Sequence, residues 1–374
     1  MISNQKLSLI RLARTEKLGQ TNFFRLMSMH NNNAELALDS IKDDKRFLLP
    51  KKSEILKEIS QLEKINGQVL TYQDPDYPWL LKLINDFPPV ISVIGDLSQT
   101  KYKKNRSVSI VGSRNCSILG KKFTQYITEE LVKRNFTIIS GLANGIDEAA
   151  HEEALENQGN TIAVIGSGLS NFYPNTQLAY EIIQKDGVII SELPFDQKPK
   201  PSFFPRRNRI IAGLSLGTLI VEADIKSGSM ITANQAAKYN RIVFAVPGFP
   251  VDNRSSGTNQ LIKDGATMVR DINDIMDELQ TSNHIDYNSI FSTTIEDKKE
   301  FLKQNSLFNN IDFSTLNDLE TRIISAINGK TNIDLSDLSS ILPDVYFNSI
   351  LIAISELEAK NIITKDALGQ ISLI

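Results

Sequence analysis

Four short stretches hold the residues best suited to gripping a ligand, and all four point to an anion. Gly112-Ser113-Arg114 places a cation beside a glycine turn, and Gly141, Ala143 and Gly145 form a second small-residue turn ahead of Asp147. Phe203-Phe204-Pro205-Arg206-Arg207-Asn208-Arg209 sets three guanidiniums and an amide directly after two aromatic rings. Lys226-Ser227-Gly228-Ser229, with Thr232 one turn on, offers hydroxyl and backbone N–H donors at a helix start. Arginines at a helix N-terminus oppose the helix dipole, and a bound anion would offset that cost. Aromatic rings beside arginines are what base stacking and phosphate pairing require in single-strand recognition. With Lys198 and Lys200, these groups make a positive site that is local. Residues 107–279 hold 17 Lys and Arg against 19 Asp and Glu, so there is no broad basic field.

Other chemistries are poorly served. Arg114 stands where the second glycine of G-x-G-x-x-G would admit a pyrophosphate, and the strand ending at Ser140-Gly141 lacks the acidic residue that holds a ribose diol. A nicotinamide cofactor is therefore disfavoured, and no cofactor is expected. His151 follows Asp147 by four residues, which puts both on one helix face. Capping and packing are the expected roles of that pair. No serine sits in a G-x-S-x-G elbow and no metal-ligand cluster is apparent, so neither a catalytic residue nor a metal site is expected. The single cysteine, Cys116, excludes an intrachain disulfide and reads as a small filler in the ligand-side loop.

The elements that must position these residues alternate. Val108–Val111, Thr137–Ile139, Thr161–Ile165, Val188–Ile190, Thr218–Val221 and Ile242–Val246 read as short buried strands. Helical spacing follows over 119–134 (Leu119, Phe123, Ile127, Leu131), 149–156, 177–184, 206–214 and 229–238. Six strands alternating with helices predict an α/β fold, a doubly wound and mostly parallel sheet whose ligands sit at the carboxyl ends of the strands. Residues 66–106 carry proline clusters around Val90–Gly95, predicting one extra strand beside the main sheet, then a basic run of Lys101, Lys103, Lys104 and Arg106.

At the ends, residues 1–65 read as a small helical module broken at Gly19, of helix-hairpin-helix or sterile-alpha-motif type. Residues 66–279 form the sheet domain, and 280–316, rich in Asn, Ser, Thr and charge, a linker. Residues 317–374 predict three helices and a hairpin around Gly369, a winged-helix unit. Its third helix carries Asp344, Glu356 and Glu358 against Lys360, so it reads as a protein-contact module rather than a DNA reader. A chain of 374 residues is long enough for two or three domains. No apolar run approaches the roughly 20 residues that span a bilayer, and no signal peptide is legible, so a cytoplasmic protein with no membrane partner is expected.

The motifs together resemble a known family. Ile-Val-Gly-Ser-Arg (110–114), Ser-Gly-Leu-Ala-x-Gly-Ile-Asp-x-x-Ala-His (140–151), Gly-x-Gly-Leu-x-x-x-Tyr-Pro (166–174), Ser-Glu-x-Pro (191–194), Phe-Pro-x-Arg-Asn-Arg-Ile-Ile-Ala-Gly-Leu-Ser (204–215), Ser-Gly-Ser-Met-Ile-Thr-Ala (227–233) and Asn-x-Leu-Ile-x-Asp-Gly-Ala (259–266) are similar, in order, to the DNA-processing protein A (DprA, Smf) family. The resemblance implies a Rossmann-like domain that binds single-stranded DNA, forms a homodimer, and loads RecA recombinase during natural transformation, without catalysis. It implies contacts from Arg114, Phe204, Arg206, Asn208, Arg209 and the Ser227–Ser229 turn. The competing class is a Rossmann-like phosphoribohydrolase of nucleoside monophosphates. Its Pro-Gly-Gly-x-Gly-Thr turn and following glutamate are replaced here by Ser227-Gly228-Ser229 and Thr232-Ala233-Asn234.

Overall fold

The computed structural model describes residues 2–97 and 106–282, and in the C-terminal region 317–327, 333, 338, 341–342, 347–360, 362–365 and 371–373. The chain divides into two compact units, Met1–Thr281 and Ser282–Ile374.

The first unit is built on one nine-stranded sheet in the order β1-β2-β6-β5-β4-β3-β7-β8-β9. Its strands are β1 (Gly67–Thr71), β2 (Val90–Ile94), β3 (Ser107–Gly112), β4 (Thr137–Ser140), β5 (Thr161–Val164), β6 (Val188–Ser191), β7 (Gly217–Val221), β8 (Ile242–Ala245) and β9 (Thr267–Met268). All pairings from β6 through β9 are parallel, while β1 and β2 add an antiparallel edge beside β6. The six predicted strands are thus β3 to β8. The predicted extra strand is β2, and it brings a partner, β1, that the sequence reading omitted.

Burial on both faces explains why the central strands are near-continuous apolar runs. Val108, Ile110, Ile138, Leu219 and Phe244 pack on one face against α6 (Ile118–Lys133), α7 (Ile146–Glu156) and α12 (Ile272–Ser282). Val111, Ile139, Val164, Ile190 and Ile220 pack on the other against α9 (Phe203–Gly213), α10 (Gly228–Lys238) and α11 (Asn253–Lys263). The serines of β3 fit this interior because they serve a helix end. Ser107 Oγ donates to the Leu214 carbonyl (2.9 Å) and Ser109 Oγ to that of Ile211 (2.8 Å), satisfying the last turn of α9. One helical expectation fails in detail: Leu119 is 78% exposed, and Gly120 and Thr124 occupy the buried positions at the start of α6.

The N-terminal helices α1 (Asn4–Ala13), α2 (Gly19–Met29), α3 (Ala34–Asp39) and α4 (Lys52–Glu63) share a core with the sheet domain, where Leu9, Phe23 and Met27 join Val69, Ile94, Leu178 and Ile189. Arg14 seals the contact by donating to the Glu192 carbonyl (2.6 Å) and pairing with Glu58 (3.0 Å).

In the second unit, α13 (Asp318–Ile327), α14 (Phe347–Ala359) and the antiparallel ribbon β10 (Ile363–Lys365) and β11 (Ile371–Leu373) enclose a small core of Ile323, Ile327, Ile350, Leu357, Ile363 and Ile371. Asn317 and Glu320 cap α13 reciprocally, and Lys360 pairs with Glu320 at 2.6 Å. The middle helix of the predicted winged-helix unit lies mostly outside the described residues. So do Asp344 and Gly369, the predicted linker beyond Ser282, and Lys101, Lys103 and Lys104.

Candidate nucleic-acid interface

The parallel strands end on one edge, and the loops leaving them gather the predicted site. Gly112-Ser113-Arg114 follows β3, Gly141–Gly145 follows β4, Gly166–Tyr173 follows β5, and the loop after β7 leads to Ser227. The β3–β7 junction, where the strand order reverses, is drawn tight. A Cβ on Gly112 would collide with the Val221 carbonyl and Ile146, so glycine is required there by the neighbouring strand. Ser229 Oγ donates to the Gly112 carbonyl at 2.8 Å, tying α10 to β3.

In the second glycine turn the Gly141 and Gly145 N–H groups go to carboxylates of the chain itself, and here the structure departs from the sequence reading. The Asp147 carboxylate, buried at the start of α7, accepts from the N–H of Gly141 (3.1 Å), and the N–H groups of Ala143 and Gly112 face it and favour its charged form. Arg207, likewise buried, faces it and donates to the carbonyls of Gly141 (2.6 Å) and Val164. A Cβ on Gly141 would lie 2.7 Å from both Arg207 Nη2 and Asp147 Oδ2, so only glycine lets the two close over it. Gly145, at φ 85°, abuts the Ser113 and Arg114 carbonyls and donates its N–H to Glu148 (3.3 Å). Burial pushes the Asp147 carboxyl up, against the pull of Arg207 and the three N–H groups. Burial lowers Arg207 to about 10, with Asp147 opposing. His151 makes no pair with Asp147; its Nδ1 meets Thr161 Oγ1 at 2.7 Å, and burial and Arg207 hold it down to about 3, so the ring is neutral. Burial, with the Glu222 charge, pushes the Cys116 thiol up.

What remains open lies outside this sealed crevice. The exposed Arg114 guanidinium stands 6.0 Å from the Phe204 ring. Half-buried Phe204 rests on Gly166 and meets the Tyr173 ring at 5.8 Å and 46°. Lys198, Lys200, Arg206 and Lys226 are exposed, with Lys200 Nζ 5.7 Å from the Phe203 ring. None of these five cations forms an ion pair with a described residue. Asn208 Nδ2 donates to the Gly228 carbonyl (3.1 Å) and joins α9 to α10. The first turn of α10 has no side-chain cap, Ser227 Oγ has no hydrogen-bond partner among the described residues, and a Cβ on exposed Gly228 would meet nothing within 4 Å. Ser113 Oγ accepts from the Asn115 N–H at 3.2 Å.

Two predicted contacts are turned inward. Arg209 pairs with Glu192 and donates to the Asp86 carbonyl, the side chains only 9% and 12% exposed. Thr232 is 1% exposed beneath the first turn of α10. The sequence reading left out Tyr173, 47% exposed at the rim; its signal was an aromatic residue just past the Gly166-Ser167-Gly168 strand exit. Among the described residues no His, Cys, Asp or Glu group could hold a metal ion, and no helix is long and apolar enough to cross a membrane.

A family model described as "DNA recombination-mediator protein A" matches residues 68–280. The chain belongs to that family. Residues 3–59 match a model described as "DprA-like N-terminal HHH domain", so of the two types expected for the N-terminal module the helix-hairpin-helix one is matched. Protein Smf of Synechocystis is 43% identical over 224 residues, 59% of this chain and 56% of that relative's length. DNA processing protein DprA of Bacillus subtilis is 42% identical over 209 residues, 55% of this chain and 69% of the relative. Among solved structures, DprA of Streptococcus pneumoniae superposes with a TM-score of 0.62 at 32% identity, covering 74% of this chain and 98% of that one. DNA processing protein A of Helicobacter pylori, whose structure was described for its single-stranded DNA binding mode, gives a TM-score of 0.51 at 32% identity over 57% of this chain and 97% of that one.

Proposed function

We propose that this chain is a non-catalytic, cytoplasmic recombination mediator that binds single-stranded DNA along the carboxyl rim of its sheet. One observation carries the reading: exposed Arg114, with no ion pair to a described residue, stands over Phe204 where that ring meets Tyr173, on the sheet edge that also holds the uncapped start of α10. In this account a backbone phosphate sits at Gly228 and Ser229 beside Arg114, where free N–H groups and the helix dipole favour it. A neighbouring base stacks over Phe204, and Lys198, Lys200, Arg206 and Lys226 draw the following phosphates. Family membership supports the further proposals that the protein is a homodimer, protects incoming strands during natural transformation and loads RecA recombinase onto them. The test compares oligo-dT with a duplex of equal length by fluorescence anisotropy across a salt series, then follows RecA filament growth on the same oligo-dT. Tight, salt-sensitive binding of the single strand and faster filament growth are expected. Failure to retain oligo-dT, together with adenine release from AMP, would replace this reading with the phosphoribohydrolase one.

A further inference from the structure

In folds of this kind the glycine turns at the carboxyl edge ordinarily cradle a ligand phosphate. Here a carboxylate of the chain itself, that of Asp147, accepts from the Gly141 N–H at 3.1 Å with the N–H groups of Gly112 and Ala143 facing it, and the buried Arg207 guanidinium closes over the same glycine. The neighbouring helix start is filled in the same way. Ser117, at the head of α6, directs its N–H (2.8 Å) and its Oγ at the Glu222 carboxylate. The start of α10 beside them has neither an acidic residue in its first turn nor a side-chain cap.

We infer that Asp147 is a built-in anion: it occupies the phosphate nest of the crevice, bars a nucleotide phosphate from it, and braces the turn that presents Arg114. The bracing follows from connectivity. Ile146 N donates to the Ser113 carbonyl (3.2 Å) and Gly145 packs against the Ser113 and Arg114 carbonyls, so the Arg114 loop is clasped from the α7 start that Asp147 fastens to Gly141. The same carboxylate balances Arg207, which ties the ends of β4 and β5 together. A polymer gripped at the rim needs none of these buried donors, whereas a mononucleotide seated in the crevice would have to displace Asp147. The place of Asp147 rests on its bond to the Gly141 N–H and on Arg207 closing over the same glycine; its effect on DNA binding rests on the function proposed above.

Formate has the head group of the missing side chain, so it tests the assignment directly. In Asp147→Ala, thermal unfolding in sodium chloride should begin ~5 °C or more below the wild type, because the N–H groups and Arg207 lose their counter-charge. Exchange of chloride for formate at constant ionic strength should restore at least half of that loss in a saturable way, and should leave the wild type unmoved. Oligo-dT binding by the variant should be about tenfold weaker in chloride and recover with formate in parallel. Equal formate shifts in variant and wild type would overturn the proposal. If the alanine variant does not fold, Asp147→Asn is followed by NMR. The amide protons of Gly112, Gly141 and Ala143 should then move upfield together with Gly228 unchanged, and unmoved amides would overturn it as well. Rescue of the unfolding temperature in a protein whose wild type ignores oligo-dT would keep the assignment and discard the DNA reading.

Discussion

Arg114 and Arg209 look alike in the sequence, and their surroundings give them opposite duties. Arg114 is exposed, stands over Phe204 and has no ion pair with a described residue, so its loss removes nothing from the fold. Arg114→Ala should leave urea stability unchanged, weaken oligo-dT binding about tenfold and lower the slope of log K against log salt by about 0.7. Arg209 is enclosed with Glu192 and Asp86. Arg209→Ala should instead cost about 3 kcal/mol of stability, since a buried carboxylate is left uncompensated. Urea titrations of the two variants, read beside their anisotropy curves, separate the roles. His151 contributes through pH. The unfolded chain protonates it below 6.5, while the folded protein resists until about 3, so within that window the unfolded state binds more protons. Stability should therefore fall with acidification from 6.5 toward 3, by at most about 1.4 kcal/mol per pH unit. His151→Asn should flatten that limb, and an unchanged limb would assign the acid sensitivity to other groups.

At the scale of elements, the helix starts along the sheet edge sort into filled and open ones. Asp147 with Glu148 and Glu222 fill those of α7 and α6, and α10 begins uncapped at a glycine with ordinary backbone angles and open space where a side chain would point. Nothing within the fold demands Gly228, and alanine is the better helix former by up to ~1 kcal/mol. Gly228→Ala should thus keep or raise the unfolding temperature while weakening oligo-dT binding about tenfold, because a methyl would stand where the phosphate approaches. Gly112→Ala, driven into the Val221 carbonyl, should fail on stability instead. The same contrast shows what the chain makes legible. Strands β3 to β8 were readable because burial on both faces turns each into an apolar run, closed in β3 to β6 by a glycine or serine exit. β1 was missed because Gly67–Thr71 holds few apolar residues and gains its place only by pairing with β2, a contact set by tertiary structure. The glycine turns and exposed arginines at the strand exits were readable from residue type and spacing. That Asp147 turns back to the Gly141 N–H was not, since the Arg207 that closes over the same glycine is brought in from α9 by the fold rather than by spacing along the chain.

Over the whole molecule, charge is divided unevenly between the two compact units. Residues 283–374 carry 13 Asp and Glu against 7 Lys and Arg, while residues 1–282 carry 31 against 34. A chain that is −3 overall is therefore +3 without its C-terminal part. Each unit has a core of its own among the described residues: Ile323, Ile350, Leu357 and Ile371 in the second, and three clusters of residues between Leu7 and Leu279 in the first. A chain ended after Ser282 should consequently keep its fold and its rim. A polyanion approaching the full-length protein meets a net negative object and must find the local cations at short range, within a Debye length of roughly 10 Å at 0.1 M salt. Removal of the acidic unit lifts that repulsion, so the truncated chain should capture oligo-dT several-fold faster at low ionic strength, with the advantage vanishing as salt is raised. Dissociation rates should change little, because the contacts at Arg114, Phe204 and Gly228 are the same, and Arg114→Ala should weaken both forms by a common factor. Stopped-flow association at two ionic strengths decides the matter: equal capture rates at low salt would mean that the acidic unit does not repel the strand, and that its charge answers to another partner.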